Sequence, residues 1–192
     1  FIDDHFARLW KGLQVLQFIL PKHFTPDHLQ AEIMTLLKKN EHLNVARIRI
    51  TVFRGDGGLY DVINHPPNYL IESWALPDDT GTWNSNGLVL GIYSDVKKSC
   101  DILSNLKHNN FLPYAMAAIH AKKQKWNDAI LLNTEGQLCD TTIANIFLLK
   151  DNVIYTPALQ EGCIAGVMRK NIINLLAESN NKPIETKLSV DD

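Results

Sequence analysis

Lys107, Asp140 and Gly166 are three residues whose types and neighbours admit a shared chemistry. Lys107 stands between an apolar, strand-like approach and a helix start, a junction from which a side chain reaches into a cleft. A lysine there can attack a carbonyl carbon once burial or a neighbouring cation lowers its pKa and leaves it neutral part of the time. It fits an ordinary solvated lysine as well. Asp140 precedes the apolar run Ile143-Ala144-Asn145-Ile146-Phe147. Facing inward, its carboxylate is costly unless it meets a cation. A protonated pyridine nitrogen would be such a cation, and its charge turns the ring into an electron sink. The other reading of Asp140 is an exposed turn residue capping a backbone N–H. Gly166-Val167 opens a helix whose free N–H groups and dipole favour a phosphate, and glycine allows close approach. Many helices that follow a loop begin in the same way. Taken together, the three groups are those needed to hold and use an aldehyde cofactor that carries a phosphate.

Arginines supply further candidates. His5 and Arg8 share one helix face at three-residue spacing, and the planar fork of Arg8 suits a phosphate. Arg47 and Arg49 lie on one face of a strand, with Arg54 just beyond it, and all three suit substrate carboxylates or solvent equally. Arg54-Gly55-Asp56-Gly57-Gly58 fits neither the phosphate-loop nor the dinucleotide pattern, and Asp56-Gly57 reads as a tight turn. Cys139 has no histidine in sequence reach, which argues against a thiol nucleophile.

Composition narrows the setting. At 192 residues the chain buries enough apolar surface to fold without staples. The net charge of −2 and scattered basic residues give no stripe for nucleic acid or an anionic membrane. Three cysteines without a C-x-x-C spacing suit reduced thiols in a cytoplasmic protein, and no metal is expected. No apolar run approaches the roughly 18 residues that span a bilayer, and nothing resembles a signal peptide. The chain enters a helical pattern almost at once from Phe1, and Ser189-Val190-Asp191-Asp192 has the look of a helix start without its helix. It therefore reads as a fragment, with residues missing at both ends.

The elements that must position these groups follow from periodicity. A helix is expected from Asp4 to about Leu20, stopped by Pro21, and a second from the Thr25-Pro26-Asp27 cap to about Lys39. Both helices should cover a sheet. Val45–Phe53 alternates as a strand and Tyr69–Ala75 is its return partner. Residues 77–87 form the linker between a small unit, 1–76, and a larger one, 88–192. The larger unit is expected to hold a strand over Leu88–Tyr93 and a helix from Asn110 to about Lys125 with Leu112, Ala115, Met116 and Ile119 inward. A short strand Ala129–Leu132 should follow, then a turn at Gly136-Gln137 and a hairpin around Asp151-Asn152. The last helix opens at Gly166 with Val167, Ile172, Leu175 and Leu176 on its core face. The fold class is α/β (α+β).

The ordered set H-x-x-R-L, K-x-x-N, G-x-L-x-[acid]-x(4)-N-I-F, Y-T-P and G-V-M-R resembles the class IV aminotransferases, the fold type IV enzymes that use pyridoxal 5'-phosphate. The likeness runs over nearly the whole chain. It implies that Lys107 carries the cofactor as a Schiff base and then moves a proton at the substrate's α-carbon. It implies that Arg8 and the backbone of Gly166, Val167 and Met168 hold the phosphate. Asp140 falls where the family has Glu opposite the pyridine nitrogen, one methylene shorter. The resemblance also implies a homodimer, a strand pair before the His5 helix and a further segment after Asp192. Lys107-His108-x-Asn110, Gly166-Val167-Met168-Arg169 and Arg54-Gly55-x-Gly57-Gly58-x-Tyr60 lean toward the aminodeoxychorismate lyase branch. Transamination of a small amino acid with a 2-oxo acid is placed first, the lyase second, and a non-catalytic relative third.

Overall fold

The computed structural model describes residues 1–42, 44–55 and 66–192. They fall into two compact units, Leu13–Asn84 and a second made of Phe1–Gly12 with Ser85–Asp192. The expected division placed the first twelve residues with the small unit. They group with the large one because Asp4 accepts hydrogen bonds from Lys170 at 2.6 Å and Asn171 at 3.0 Å.

In the small unit, strands β1 (Ala46–Phe53) and β2 (Asn68–Ala75) pair antiparallel from Ala46↔Ala75 to Phe53↔Asn68. Helix α1 runs from Ile2 to Val15, with Ile2–Gly12 in the large unit, and α2 from Pro26 to Lys39. The second begins as its sequence dictates: the Thr25 hydroxyl accepts from His28 N–H at 3.2 Å, with proline in the first turn where its missing donor costs nothing. Leu29 and Ile33 face inward, while Tyr69 on β2 donates to Glu32 at 2.8 Å and packs edge-on against Phe24. Helix α1 ends earlier than expected. Gln17 adopts a left-handed φ of +57° and Phe18 N–H closes onto Leu13 O at 2.9 Å, a C-terminal cap that stops the helix before Pro21 is reached. The turn expected at Asp56–Gly58 lies outside the described residues.

The large unit is built from two β-α-β crossovers. In the first, β3 (Leu90–Lys98) lies parallel to β4 (Asp128–Asn133), joined by α3 (Leu112–Gln124), and β5 (Leu138–Thr141) adds antiparallel to β4. In the second, β6 (Leu148–Lys150) and β7 (Val153–Pro157) form the expected hairpin. Its two loop residues, Asp151 and Asn152, both take positive φ, which matches the twist of the flanking strands. Helix α4 (Val167–Glu178) then returns the chain to β8 (Ile184–Thr186), parallel to β7. The Leu138 N–H donates to Leu188 O at 2.7 Å, so the segment after β8 borders β5. Leu132, Leu138, Ile146 and Leu188 form one core cluster there.

Two helix faces differ from expectation. On α3 the buried residues are Ala117 and Ala121, packed on Tyr93, Ala129 and Leu131, whereas Leu112, Met116 and Ile119 are exposed. Small side chains let the helix lie close on its sheet, and the larger apolar residues are left outward. On α4, Val167, Arg169 and Ile173 are buried and Leu175 is exposed. Arg169 is admitted to the interior because it donates to Pro157 O at 2.9 Å and to Glu185 at 2.7 Å.

Candidate active site

The segment from Leu159 to Ala165, between β7 and α4, is where the chemistry-bearing residues meet. It begins with a single 3-10 turn, Leu159–Glu161, and is buried over Glu161–Cys163, so its backbone groups need partners. Side chains from three other elements supply them. Asn105 donates to Leu159 O at 2.8 Å and to Cys163 O at 2.6 Å, and its own carbonyl accepts from Ala165 N–H at 3.0 Å. Asn145 donates to Ile164 O at 2.9 Å. Asp140 accepts from Ile164 N–H at 2.9 Å. Gly162 completes the turn with φ +87°, and a Cβ there would lie 2.4 Å from Ser99 O, so only glycine fits.

This lattice ties Asn105 to the residue before the mouth of α4. Lys107 is exposed and follows Asn105 by two residues, and Asn105 is bonded to Ala165, the neighbour of Gly166. At the mouth no side chain caps the helix. Lys170 N–H is the donor to Gly166 O at 3.0 Å, so the N–H groups of Val167, Met168 and Arg169 precede the first bond of the helical ladder. A Cβ added to Gly166 would fall 2.0 Å from Asn145 Oδ1, so the backbone approaches that amide as no other residue could. Arg8 is half-buried beside His5, Nη2 to Nδ1 3.4 Å, one turn after Asp4, which is tied to Lys170 and Asn171 of α4. Burial lowers the pKa of Arg8, and burial together with the Arg8 charge lowers that of His5.

Asp140 faces inward and is 2% exposed. Sequence reasoning required a cation for it, and the protein itself provides one in Lys98. Its Nζ lies 2.9 Å from each carboxylate oxygen and is 7% exposed. Tyr114 on α3 donates to the same carboxylate at 3.1 Å, while Lys98 Nζ also bonds its hydroxyl and sits 4.7 Å from its ring centre. Burial first, and then the Asp140 charge, push the Tyr114 phenol far above its ordinary range, so it serves as a neutral donor. Lys98 was missed because the strand was expected to end at Tyr93. The ladder between β3 and β4 slips after Tyr93, resuming at Lys97↔Leu132, and the irregularity turns Lys98 inward.

The three arginines of the small unit do not converge. Arg49 forms a forked pair with Glu72 at 2.7 and 2.9 Å and stacks on Trp74 at 5.0 Å. Arg47 lies 6.0 Å from the same ring. Arg54 donates to Leu16 O and covers the Phe18 ring at 4.7 Å.

The cysteines are all free thiols among the described residues. Cys139 donates to Glu161 O at 2.9 Å, and burial pushes its pKa up to about 12; burial likewise raises Cys163 to about 11. Cys100 is exposed. One equivalent of thiol reagent is therefore expected to react first at Cys100 in the native protein at pH 8, slowed by the burial that raises its pKa, with Cys139 and Cys163 reacting after unfolding. Peptide mapping of the labelled protein checks this, and fast native labelling of Cys139 would contradict its burial.

The family model for amino-transferase class IV matches residues 1–192. The chain belongs to the class IV aminotransferases. Among curated members, an aminodeoxychorismate lyase from Vibrio harveyi is 31% identical over 133 residues, covering 68% of this chain and 49% of the lyase. A branched-chain-amino-acid aminotransferase from Pseudomonas aeruginosa is 26% identical over 195 residues, covering 100% of this chain and 62% of the relative. The fold matches a T.th. branched-chain amino acid aminotransferase solved with pyridoxamine 5'-phosphate, with a TM-score of 0.84 at 20% identity, covering 99% of this chain and 63% of that one. This class IV chain thus spans roughly half to two thirds of the length of these relatives. Its architecture is that of fold type IV, as the motif order implies.

Proposed function

We propose that the protein is a pyridoxal-phosphate-dependent aminotransferase acting on a small amino acid and a 2-oxo acid. The observation that carries this reading is the bond from Ala165 N–H, next to the uncapped mouth of α4, to the carbonyl of Asn105, which precedes Lys107 by two residues. A phosphate suits that mouth: its first-turn N–H groups point outward, the dipole favours an anion, and the glycine admits close approach. Val167 and Met168 would hold it through their N–H groups and Gly166, whose own N–H is given to Ile164 O at 2.8 Å, would admit its close approach, with Arg8 adding a charge from the α1 face that carries Asp4. When bound, pyridoxal phosphate supplies an electron sink for charge at the substrate's α-carbon. Lys107 would hold the cofactor through its amine and would move the proton at the substrate's α-carbon. Arg47 and Arg54 have no carboxylate partner among the described residues, whereas Arg49 is paired with Glu72, which supports the first two over Arg49 as ligands for a substrate carboxylate.

The second reading is 4-amino-4-deoxychorismate lyase, favoured by the 31% identity to the Vibrio harveyi enzyme. Both reactions use the same lysine and the same α-proton, and they part in whether a leaving group departs. Incubation with 2-oxoglutarate and a panel of L- and D-amino acids, beside aminodeoxychorismate, separates them. Glutamate formation from a small amino acid is the expected result. Pyruvate and 4-aminobenzoate from aminodeoxychorismate, with no glutamate from any donor, would reverse the order.

A homodimer belongs to the same proposal. Phe111, Leu112, Met116 and Ile119 leave an exposed apolar stripe along α3, of the kind a partner subunit covers. A cytoplasmic setting is supported by the three free thiols. No helix among the described residues is long and apolar enough to cross a membrane.

A further inference from the structure

A cavity of about 390 Å³ opens beside the C-terminal turn of α3, and three kinds of surface line it. Trp126, with Ala118 and Ala121, makes an apolar wall, Asp128 brings a carboxylate, and Lys122 and Lys125 bring two cations. The wall is formed in advance. A Cβ at Gly91 would lie 2.3 Å from the Trp126 ring, so glycine there lets the indole rest directly on β3, and His120 packs on it with ring centres 5.5 Å apart. A preformed apolar surface with a few placed polar groups is what a small-molecule site requires.

Asp128 gives the cavity its preference. It is 8% exposed, and the three donors that it meets all reach Oδ1: the Thr142 hydroxyl at 2.6 Å, Ala129 N–H at 2.7 Å and Thr142 N–H at 3.3 Å. Oδ2 is left for the cavity. Lys122 and Lys125 border the same space, yet among the described residues neither forms an ion pair with Asp128 or with any other carboxylate. A carboxylate withdrawn from water is costly until a cation or donor meets it. An amine alone would meet Asp128 but also the like charge of two lysines, and an acid alone would meet the lysines but also Asp128. A compact molecule that carries both charges satisfies the two sides at once.

We propose that this cavity binds a free α-amino acid with an apolar side chain, its ammonium on Asp128 Oδ2, its carboxylate on Lys122 and Lys125, and its side chain against Trp126. The cavity shares no lining residue with Lys107, Asp140 or the mouth of α4, and its chemistry does not depend on the pyridoxal-phosphate reading.

Isothermal titration with L-leucine, isoamylamine and isocaproate tests this. The protein is first treated with borohydride, which fixes any cofactor held at Lys107 and keeps added amines from exchanging there. On a protein that takes no cofactor the treatment changes nothing, so failure of the pyridoxal-phosphate reading leaves the test intact. The wild type is expected to bind leucine at least about tenfold more tightly than either analogue, since each lacks one charged hydrogen-bonding group. Asp128→Asn keeps an oxygen for Thr142 and Ala129 but turns an amide NH2 toward the cavity, and it should weaken leucine by at least about tenfold. Lys122→Gln with Lys125→Gln should weaken leucine without weakening isoamylamine. Equal binding of leucine and isoamylamine by the wild type overturns the proposal, and that comparison stands even where Asp128→Asn fails to fold. Undiminished leucine binding in either folded variant, or no leucine binding by the wild type, overturns it as well.

Discussion

Asp140→Ala is expected to lower the thermal midpoint of the protein by roughly 6–20 °C. Removing one member of a buried ion pair typically costs ~3–5 kcal/mol, because the other charge is left without compensation, and each kcal/mol shifts the midpoint of a domain this size by about 2–4 °C. Three donors lose their acceptor together: the Lys98 ammonium, the Tyr114 hydroxyl and the Ile164 N–H. The last of these is part of the segment that carries the mouth of α4, so the damage extends to the proposed phosphate site. The control is the double variant Lys98→Met with Asp140→Leu. Replacing a buried pair by apolar groups of similar volume is often neutral, so the double variant should recover most of the loss in urea or thermal denaturation. A single variant within about 1 °C of wild type would mean that Lys98 finds water on losing its partner. The same cluster sets an alkaline limit. Tyr114 has its pKa raised above the ordinary 10.0. Below that value both folded and unfolded states keep the proton; above it the unfolded chain releases a proton that the folded chain retains. Stability is therefore lost as pH rises past 10, and Tyr114→Phe should flatten that limb of the profile.

Much of the scaffold was legible because its signals are local. The Thr25 cap with Pro26, the Asp151-Asn152 hairpin and the glycine before α4 depend on a few adjacent residues, and each element formed where those residues placed it. What escaped depends on neighbours distant in sequence. The inward face of α3 is chosen by how near the helix lies to Tyr93 and Leu131, so Ala117 and Ala121 took the place expected for Leu112, Met116 and Ile119. Lys98 illustrates the same point at the candidate site. Strict two-residue alternation holds only while a strand keeps its register, and the slip after Tyr93 re-aims every residue that follows. The demand for a cation near Asp140 was a sound deduction from the cost of a buried carboxylate. Which cation meets it was decided by a ladder irregularity and by a tyrosine on a crossing helix, neither of which has a pattern in the chain. Asn105 and Asn145 show a further limit: as polar residues in apolar surroundings they carry a signal, yet only the fold shows that both serve the backbone of one loop.

Lys107→Ala should abolish covalent retention of pyridoxal phosphate while leaving the fold intact. Lys107 is exposed, so its truncation opens no buried cavity, and the denaturation midpoint should stay near that of wild type. The yellow colour of cofactor-loaded protein should be lost, and borohydride, which fixes the cofactor onto the Lys107 peptide of the wild type, should fix it onto none. Turnover should fall by at least about 10²–10⁴-fold from the missing proton transfer alone. The choice between the two lysines follows from their surroundings. A lysine that attacks a carbonyl must spend time neutral and within reach of the carbon, whereas Lys98 is held between Asp140 and Tyr114 with its donors engaged. Lys98→Arg should therefore keep its colour and its borohydride adduct at Lys107. An adduct on the Lys98 peptide in wild-type protein would transfer the carbonyl-binding role to the buried lysine and make the Asp140 pair its activating partner. A wild type that stays colourless with added cofactor would place the protein among the non-catalytic relatives, since no assignment of lysines matters to a site that does not take the aldehyde.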